Sequence, residues 1–116
     1  MNYVLCRIRR YPDVAKIVCN QVLSKQADFG IVVCGTGIGI SIACNKVEGI
    51  RCALCHDHYT AKMAREHNNA NVLALGGRTT GEEVAKDITD TFLKTEFAGA
   101  HHIKRIEKLL GQFMNK

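Results

Sequence analysis

A chain of 116 residues, 47% of them hydrophobic, is long enough for one compact domain, and this composition excludes a disordered chain. The formal charge of +5 is compatible with an anionic ligand or with nucleic acid, but the sequence has no aromatic RNA-binding motif. The opening MNYVLCRIRR is too short and too charged for a signal peptide or a membrane span. We therefore expect a single cytoplasmic domain over residues 1–116 with no nucleic-acid partner and no membrane partner.

Strand-like and helix-like segments alternate along the chain. The predicted order is a strand at 2–8 (NYVLCRI), a helix at 12–26, a strand at 29–35 (FGIVVCG), a strand at 49–55 (GIRCALC), a helix at 57–68, a strand at 71–77 (NVLALGG), and helices at 80–97 and 101–114. The near-continuous apolar strands are typical of a parallel sheet covered on both faces. The order predicts an α/β fold with a mostly parallel sheet.

The helices carry recognisable start signals and apolar faces. Pro12 and Asp57 suit the first positions of their helices, and Thr80 with Glu83 predicts a capping box. Apolar spacing of three or four residues predicts the buried faces: Val14, Ile17, Val18 and Leu23; Tyr59 and Met63; Val84, Ile88 and Phe92; Ile103, Ile106, Leu110 and Phe113.

The stretch Gly35-Thr36-Gly37-Ile38-Gly39 joins the 29–35 strand to a helix. It is not a dinucleotide fingerprint, because Ile40 stands where that motif needs Gly or Ala, and no Gly-Lys-Ser/Thr follows as in a P-loop. Its backbone N–H groups and the helix N-terminus predict an anion site. A tight strand-to-helix turn without a ligand is the alternative.

Cys34 immediately precedes this turn. A helix N-terminus can bring a thiol pKa down towards neutrality, and a thiolate can remove a proton from carbon. The neighbouring N–H groups can then hold the oxygen of the resulting enediolate. The alternative is a buried structural cysteine.

The cysteine pattern also raises the question of disulfides and metals. All six cysteines lie in or beside strand-like and helix-like runs, which favours reduced thiols over a disulfide framework. CALCH (52–56) matches the haem attachment motif, and His58 extends it to a zinc-like spacing. Because these cysteines lie on a predicted buried strand rather than in a knuckle, we expect neither haem nor metal.

Several candidate site residues lie at the ends of predicted elements. Cys34, the 56–58 cluster (His-Asp-His) and Arg78 lie at the carboxyl ends of predicted strands, where open α/β sheets bind ligands. His67 ends the helix in REHNNANV. It is either a partner of the helix dipole or an acid–base group that works near pH 7, and the residues alone leave both open.

CGTGIGISIACNKVEGIRCALCHD, followed by AREHNNANVLALGGR, closely resembles the ribose-5-phosphate isomerase B family, which includes the galactose-6-phosphate isomerase subunits. The resemblance covers roughly residues 11–110. It implies a Rossmann-like, three-layer α/β/α fold and a homodimer with active sites at the subunit interface. It also implies interconversion of aldose and ketose phosphates without a metal or other cofactor.

The resemblance assigns roles residue by residue. Cys34 matches the base that moves a proton between C2 and C1; one branch of the family instead uses a glutamate, where this chain has Ile40. His67 matches the residue that helps to open the sugar ring. The implied catalytic residues are Cys34, His67 and Thr36, and the implied substrate-binding residues are Gly35, Gly37, Ile38, Gly39, Asn68, Arg78, His101 and Arg105.

The phosphate-binding residues include one departure from the family pattern. Arg105 matches one of two C-terminal arginines that hold the phosphate, whereas His101 stands where the other arginine is commoner. The charge of a histidine there depends on pH. Arg78 matches a pocket arginine of part of the family, and it is alternatively a structural residue at a strand end.

The resemblance begins around residues 11–13, and the family's opening strand, which ends in an Asp-His pair, has no counterpart in the sequence given. We expect residues 2–8 to pair beside the 29–34 strand, and the chain to be a weak or inactive isomerase. The expected reaction converts ribose 5-phosphate to ribulose 5-phosphate. The alternatives are a six-carbon substrate (galactose or allose 6-phosphate) and a non-catalytic remnant of the fold.

Overall fold

The structure, a computed structural model, describes residues 1–7 and 11–99. In chain order its elements are β1 (Tyr3–Arg7), α1 (Tyr11–Leu23), β2 (Phe29–Cys34), α2 (Ile38–Asn45), β3 (Cys52–Leu54), α3 (His58–Glu66), β4 (Val72–Gly76) and α4 (Glu82–Lys94). The predicted helix at 101–114 lies outside the described residues. No helix in the described ranges combines the length and the apolar character that a membrane span needs.

The four described strands form one sheet in the order β1-β2-β4-β3, and every neighbouring pair is parallel. β1 lies beside β2, with Tyr3 opposite Phe29, which confirms the predicted pairing of residues 2–8. On the other side of β2, Cys34 lies opposite Gly76, so β2 and β4 finish side by side at the carboxyl-terminal end of the sheet.

Two cores cover the two faces of the sheet. Successive residues of a strand point to opposite faces. Val32 therefore packs with α1 and α2, whereas Ile31 packs with α3 and α4. Each residue of β4 is buried, as expected for an inner strand covered on both faces. The result is a three-layer, Rossmann-like α/β/α fold, which confirms the predicted fold class.

The buried face of α1 differs in part from the predicted one. Val14 and Val18 are buried as expected, but Ile17 is 54% exposed and Leu23 is 43% exposed. The rest of the buried face consists of Ala15, Cys19 and Val22. Small residues let α1 approach the sheet closely, and the larger Ile17 and Leu23 lie on the flanks.

The start of α4 and the buried face of α3 also differ from prediction. The predicted capping box of Thr80 and Glu83 is wrong: α4 begins one residue later, and its N-cap, Gly81, makes no side-chain capping bond. In α3 the predicted Tyr59 is 67% exposed. The buried residues of α3 are instead Ala61, Ala64 and Arg65.

Candidate functional site

The glycine turn after β2 needs a backbone that only glycine adopts easily. Gly37 is the N-cap of α2 and has φ of 79°, in the left-handed region. A Cβ at this position would lie 2.5 Å from Leu54 Cδ1 and 2.9 Å from the backbone carbon of Leu75. The backbone of the turn therefore lies directly against β3 and β4, with no room for a side chain at Gly37.

Cys34 is half-buried at the start of this turn. The N–H of Gly37 donates to Cys34 Sγ at 3.2 Å, so the turn folds back onto the sulfur. The N–H of Ile38 donates to Thr36 Oγ1 at 3.2 Å, and Thr36 is exposed. The sulfur, the threonine hydroxyl and the first N–H groups of α2 thus lie within one short segment.

A second turn, at 76–80, supports the glycine turn. The N–H of Gly77 donates to Cys34 O at 2.8 Å, and the N–H of Arg78 donates to Gly35 O at 2.9 Å. Arg78 Cδ lies 3.6 Å from the position that a Cβ on Gly35 would occupy. The structure therefore brings Arg78 to the glycine turn, as an arginine of an anion site there would require.

Gly76 was missed by the sequence argument. A Cβ at Gly76 would lie 2.7 Å from Thr36 O, so the two turns touch only because this residue has no side chain. The paired glycines at 76–77, directly after an apolar strand, are the sequence feature that indicates such a close backbone contact.

His67 and Asn68 lie at the amino-terminal end of the parallel strands, whereas Cys34 lies at their carboxyl-terminal end. α3 starts beyond the end of β3 and ends before β4, whose first residue pairs with Gly30 at the start of β2. Gly30 and Cys34 are four residues apart along β2, which at about 3.3 Å per residue is about 13 Å. Within one chain His67 is therefore not brought to Cys34, while His101 and Arg105 lie outside the described residues.

The cluster at 56–58 contributes to the folding of α3. Asp57 is the N-cap: its Oδ1 accepts from Thr60 N–H at 2.8 Å and from Thr60 Oγ1 at 2.8 Å. The backbone hydrogen bond from Thr60 is the main reason that the pKa of Asp57 lies below its usual value. His58 Nδ1 lies 3.2 Å from the Asp87 carboxylate and 3.0 Å from Thr91 Oγ1, which ties α3 to α4.

Three of the described cysteines, Cys19, Cys44 and Cys55, are buried in the two cores of the protein. Cys19, Cys34, Cys44, Cys52 and Cys55 are all free thiols. A hydrogen bond with Cys44, together with burial, raises the pKa of Cys19, and burial raises the pKa of Cys55 to about 11. Among residues 1–7 and 11–99, no group of three or more His, Cys, Asp or Glu side chains is placed to hold a metal ion.

An open groove of about 430 Å³ lies between β1 and α4, away from Cys34. It is lined by Tyr3, Leu5, Ile31, Leu75, Ala85, Lys86, Thr89 and Asp90. Ile31 and Leu75 belong to the core under α3 and α4, whereas Cys34 packs against the core under α1 and α2. The groove is therefore separate from the glycine turn.

Comparisons with known proteins identify the family and agree with the observed fold. The family model of the ribose/galactose isomerases matches residues 7–109. Ribose-5-phosphate isomerase B of Escherichia coli is 46% identical over 99 residues, which cover 85% of this chain and 66% of that protein. The D-erythrulose-4-phosphate isomerase of Pectobacterium atrosepticum is 48% identical over 99 residues, which cover 85% of this chain and 65% of that protein.

A solved structure of type B ribose 5-phosphate isomerase from Trypanosoma cruzi matches with a TM-score of 0.88 and 51% identity, covering 93% of this chain and 73% of that one. The chain belongs to the ribose/galactose isomerase family. It spans about two thirds of the length of the curated relatives that it matches.

Proposed function

We propose that the protein is an aldose–ketose isomerase that interconverts ribose 5-phosphate and ribulose 5-phosphate. The observation that carries this proposal is the arrangement at the end of β2, where Cys34 Sγ accepts from the N–H of Gly37 and Arg78 lies against Gly35. A sulfur base, backbone donors and a cation then lie together. Membership of the family supports the same reaction class.

In the proposed reaction the Cys34 thiolate removes the proton from C2 of the open-chain aldose. The electron pair moves towards the C1 carbonyl, and negative charge develops on O1. Backbone N–H groups of the Gly35–Gly39 turn stabilise that charge, as in other enediolate sites. A proton passes from O2 to O1, and Cys34 returns its proton to C1, so that C2 carries the carbonyl of the ketose.

The remaining residues hold the substrate or open the ring. Arg78 binds an oxygen near the reacting carbons, and Arg105 with His101 binds the phosphate. The remote phosphate contacts hold the sugar in a reactive orientation. His67 transfers the proton that opens the ring, and Asn68 contacts the sugar.

The working form in this proposal is a homodimer whose sites combine residues of two copies. Cys34 and His67 lie at opposite ends of the strands, and these ends are separated by about 13 Å along β2. This separation supports a site built from two copies. One copy would supply Cys34 and the glycine turn, and the other would supply His67 and Asn68.

Two single variants and their mixture test the proposal. Cys34→Ala should lower kcat by about 10³-fold, a typical contribution of a general base, whereas Cys52→Ala, which removes another half-buried thiol, should keep the activity. His67→Ala should also be nearly inactive. Refolding the two inactive variants together should restore about a quarter of the activity, because half of the dimers are mixed and each mixed two-fold dimer has one intact site.

The assay should follow both product formation and exchange of the C2 proton in deuterated water. A Cys34→Ala protein with parental exchange would refute Cys34 as the base. A mixture with no restored activity would refute the composite site. Absence of exchange in the parent chain would favour the non-catalytic alternative.

The second candidate is the same reaction on a sugar phosphate with a different number of carbons. The matched Pectobacterium relative is named for the isomerisation of D-erythrulose 4-phosphate, so sugar length is variable among relatives of this identity. Comparing kcat/KM for four-, five- and six-carbon sugar phosphates decides between them.

A further inference from the structure

Arg65 is the buried charged residue of the described chain, with 7% of its surface exposed. Its guanidinium carbon lies 4.6 Å from the ring centroid of Phe29 and 5.8 Å from that of Phe92. A buried cation is costly unless its donors are satisfied. The acceptors that satisfy Arg65 therefore show what this residue holds in place.

Two of these acceptors belong to the turn that follows α3. Arg65 Nη1 donates to Asn69 Oδ1 at 2.9 Å and to Ala70 O at 2.7 Å. Asn69 has φ of 47°, so the chain reverses at this residue. His67 and Asn68 lie between Arg65 and Asn69, and the guanidinium thus closes a short loop around both predicted site residues.

A second arginine, Arg51, also forms hydrogen bonds to this turn. Arg51 Nε donates to Asn69 O at 3.0 Å, and the N–H of Arg51 donates to Asn71 Oδ1 at 2.8 Å. Burial lowers the pKa of Arg51 and of Arg65, and the charge of Arg51 lowers that of Arg65 further. Two cations near one asparagine repel each other, so their hydrogen bonds to the turn must offset that cost.

Arg65 also holds the segment after α4. Its Nε donates to Thr95 O at 3.2 Å, and beside it the N–H of Ala98 donates to Glu66 O at 3.0 Å. This segment leads along the chain to His101 and Arg105. One side chain therefore joins the turn that carries His67 and Asn68 to the segment that precedes the predicted phosphate-binding residues.

We propose that Arg65 is a positioning residue of the isomerase site, which fixes the 67–69 turn and the 95–98 segment in one arrangement. Its catalytic consequence rests on the proposed function, whereas the fixed geometry of the turn can be measured without turnover. A side chain that acts only through packing would affect stability and leave the site residues in place. Arg65 should affect both the stability of the protein and the positions of the site residues.

The experiment compares Arg65→Met, Arg65→Lys and Ile88→Ala in the full chain. Methionine keeps an apolar stem without donors, and lysine keeps the charge and some of the donors. Ile88 is fully buried in the same core and forms no part of the turn, so Ile88→Ala is a control for lost stability. Each variant is assayed well below its melting temperature for kcat and KM with ribose 5-phosphate. NMR follows the Asn68 amide and the His67 ring.

We expect Arg65→Met to lower kcat/KM by about 30-fold through misplacement of the site residues, with Arg65→Lys between it and the parent. The signals of His67 and Asn68 should shift in Arg65→Met and stay in place in Ile88→Ala. If Arg65→Met does not fold, Asn69→Gly replaces it, because glycine keeps the left-handed turn and removes the Oδ1 acceptor.

Equal losses of kcat/KM in Arg65→Met and Ile88→Ala would overturn the proposal, as would unshifted signals of His67 and Asn68. If the parent protein isomerises no sugar phosphate, the proposed function fails instead. The NMR comparison then decides the positioning role by itself.

Discussion

Replacing Gly37 with alanine tests the tight packing of the glycine turn. Gly37 has φ of 79°, and alanine in the left-handed region costs about 1–2 kcal/mol. The added Cβ would also meet Leu54 Cδ1 at 2.5 Å, Leu75 C at 2.9 Å and Gly76 N at 3.1 Å. Two of these atoms belong to the backbone of the inner strand and cannot move aside as a side-chain end can.

Such an overpacked contact adds about 1–3 kcal/mol, so Gly37→Ala should lower the free energy of unfolding by about 3 kcal/mol in total. A domain of this size has roughly 5–15 kcal/mol of stability, so the variant should still fold. The N–H of residue 37 would move away from Cys34 Sγ, and the proposed isomerase activity should fall with it.

Urea unfolding at 25 °C measures the change, and two other glycines are matched controls. Gly49 has φ of 88°, but a Cβ there meets only the end of the exposed Leu23 side chain, so Gly49→Ala should cost about 1 kcal/mol. A Cβ on Gly81 meets nothing within 4 Å, so Gly81→Ala should cost the least. A Gly37→Ala variant no less stable than Gly49→Ala would refute the packing argument.

Two further predictions concern the α3 and α4 side of the sheet. Phe92 is fully buried with its ring centroid 5.7 Å from that of Phe29, and Phe92→Ala should lower the free energy of unfolding by about 4 kcal/mol. A much smaller loss in urea unfolding would show that the core closes around the cavity. Asp57→Ala should lower the melting temperature at pH 7, because it removes the cap of α3. Since the folded pKa of Asp57 is below its unfolded value, its stabilising effect is complete above about pH 5 and is lost as the pH falls through the unfolded and then the folded pKa. Melts of both proteins at pH 7 and pH 2 should therefore converge in acid, and a constant difference would contradict the role of the carboxylate.

Patterns local in the sequence predicted the larger part of the fold. The apolar runs at 29–35 and 71–77 became the inner strands β2 and β4, and the run at 2–8 paired beside β2. Asp57 capped α3 as predicted, because a cap depends on a few adjacent residues. The capping box at Thr80 was wrong because the turn that supports Cys34 continues through residue 80.

The sequence by itself determined the family, the alternation of strands and helices, and the position of Cys34 beside a glycine turn. These features depend on residue type and spacing along the chain. Only the tertiary structure put Arg78 against Gly35 and placed His67 at the far edge of the sheet from Cys34. An arginine in the polar stretch REHNN would be expected on the surface. Arg65 is buried because Phe29, Phe92 and the turn at Asn69 pack against it from separate elements. Burial of this kind depends on which distant elements pack together, and no local pattern of residues contains that information.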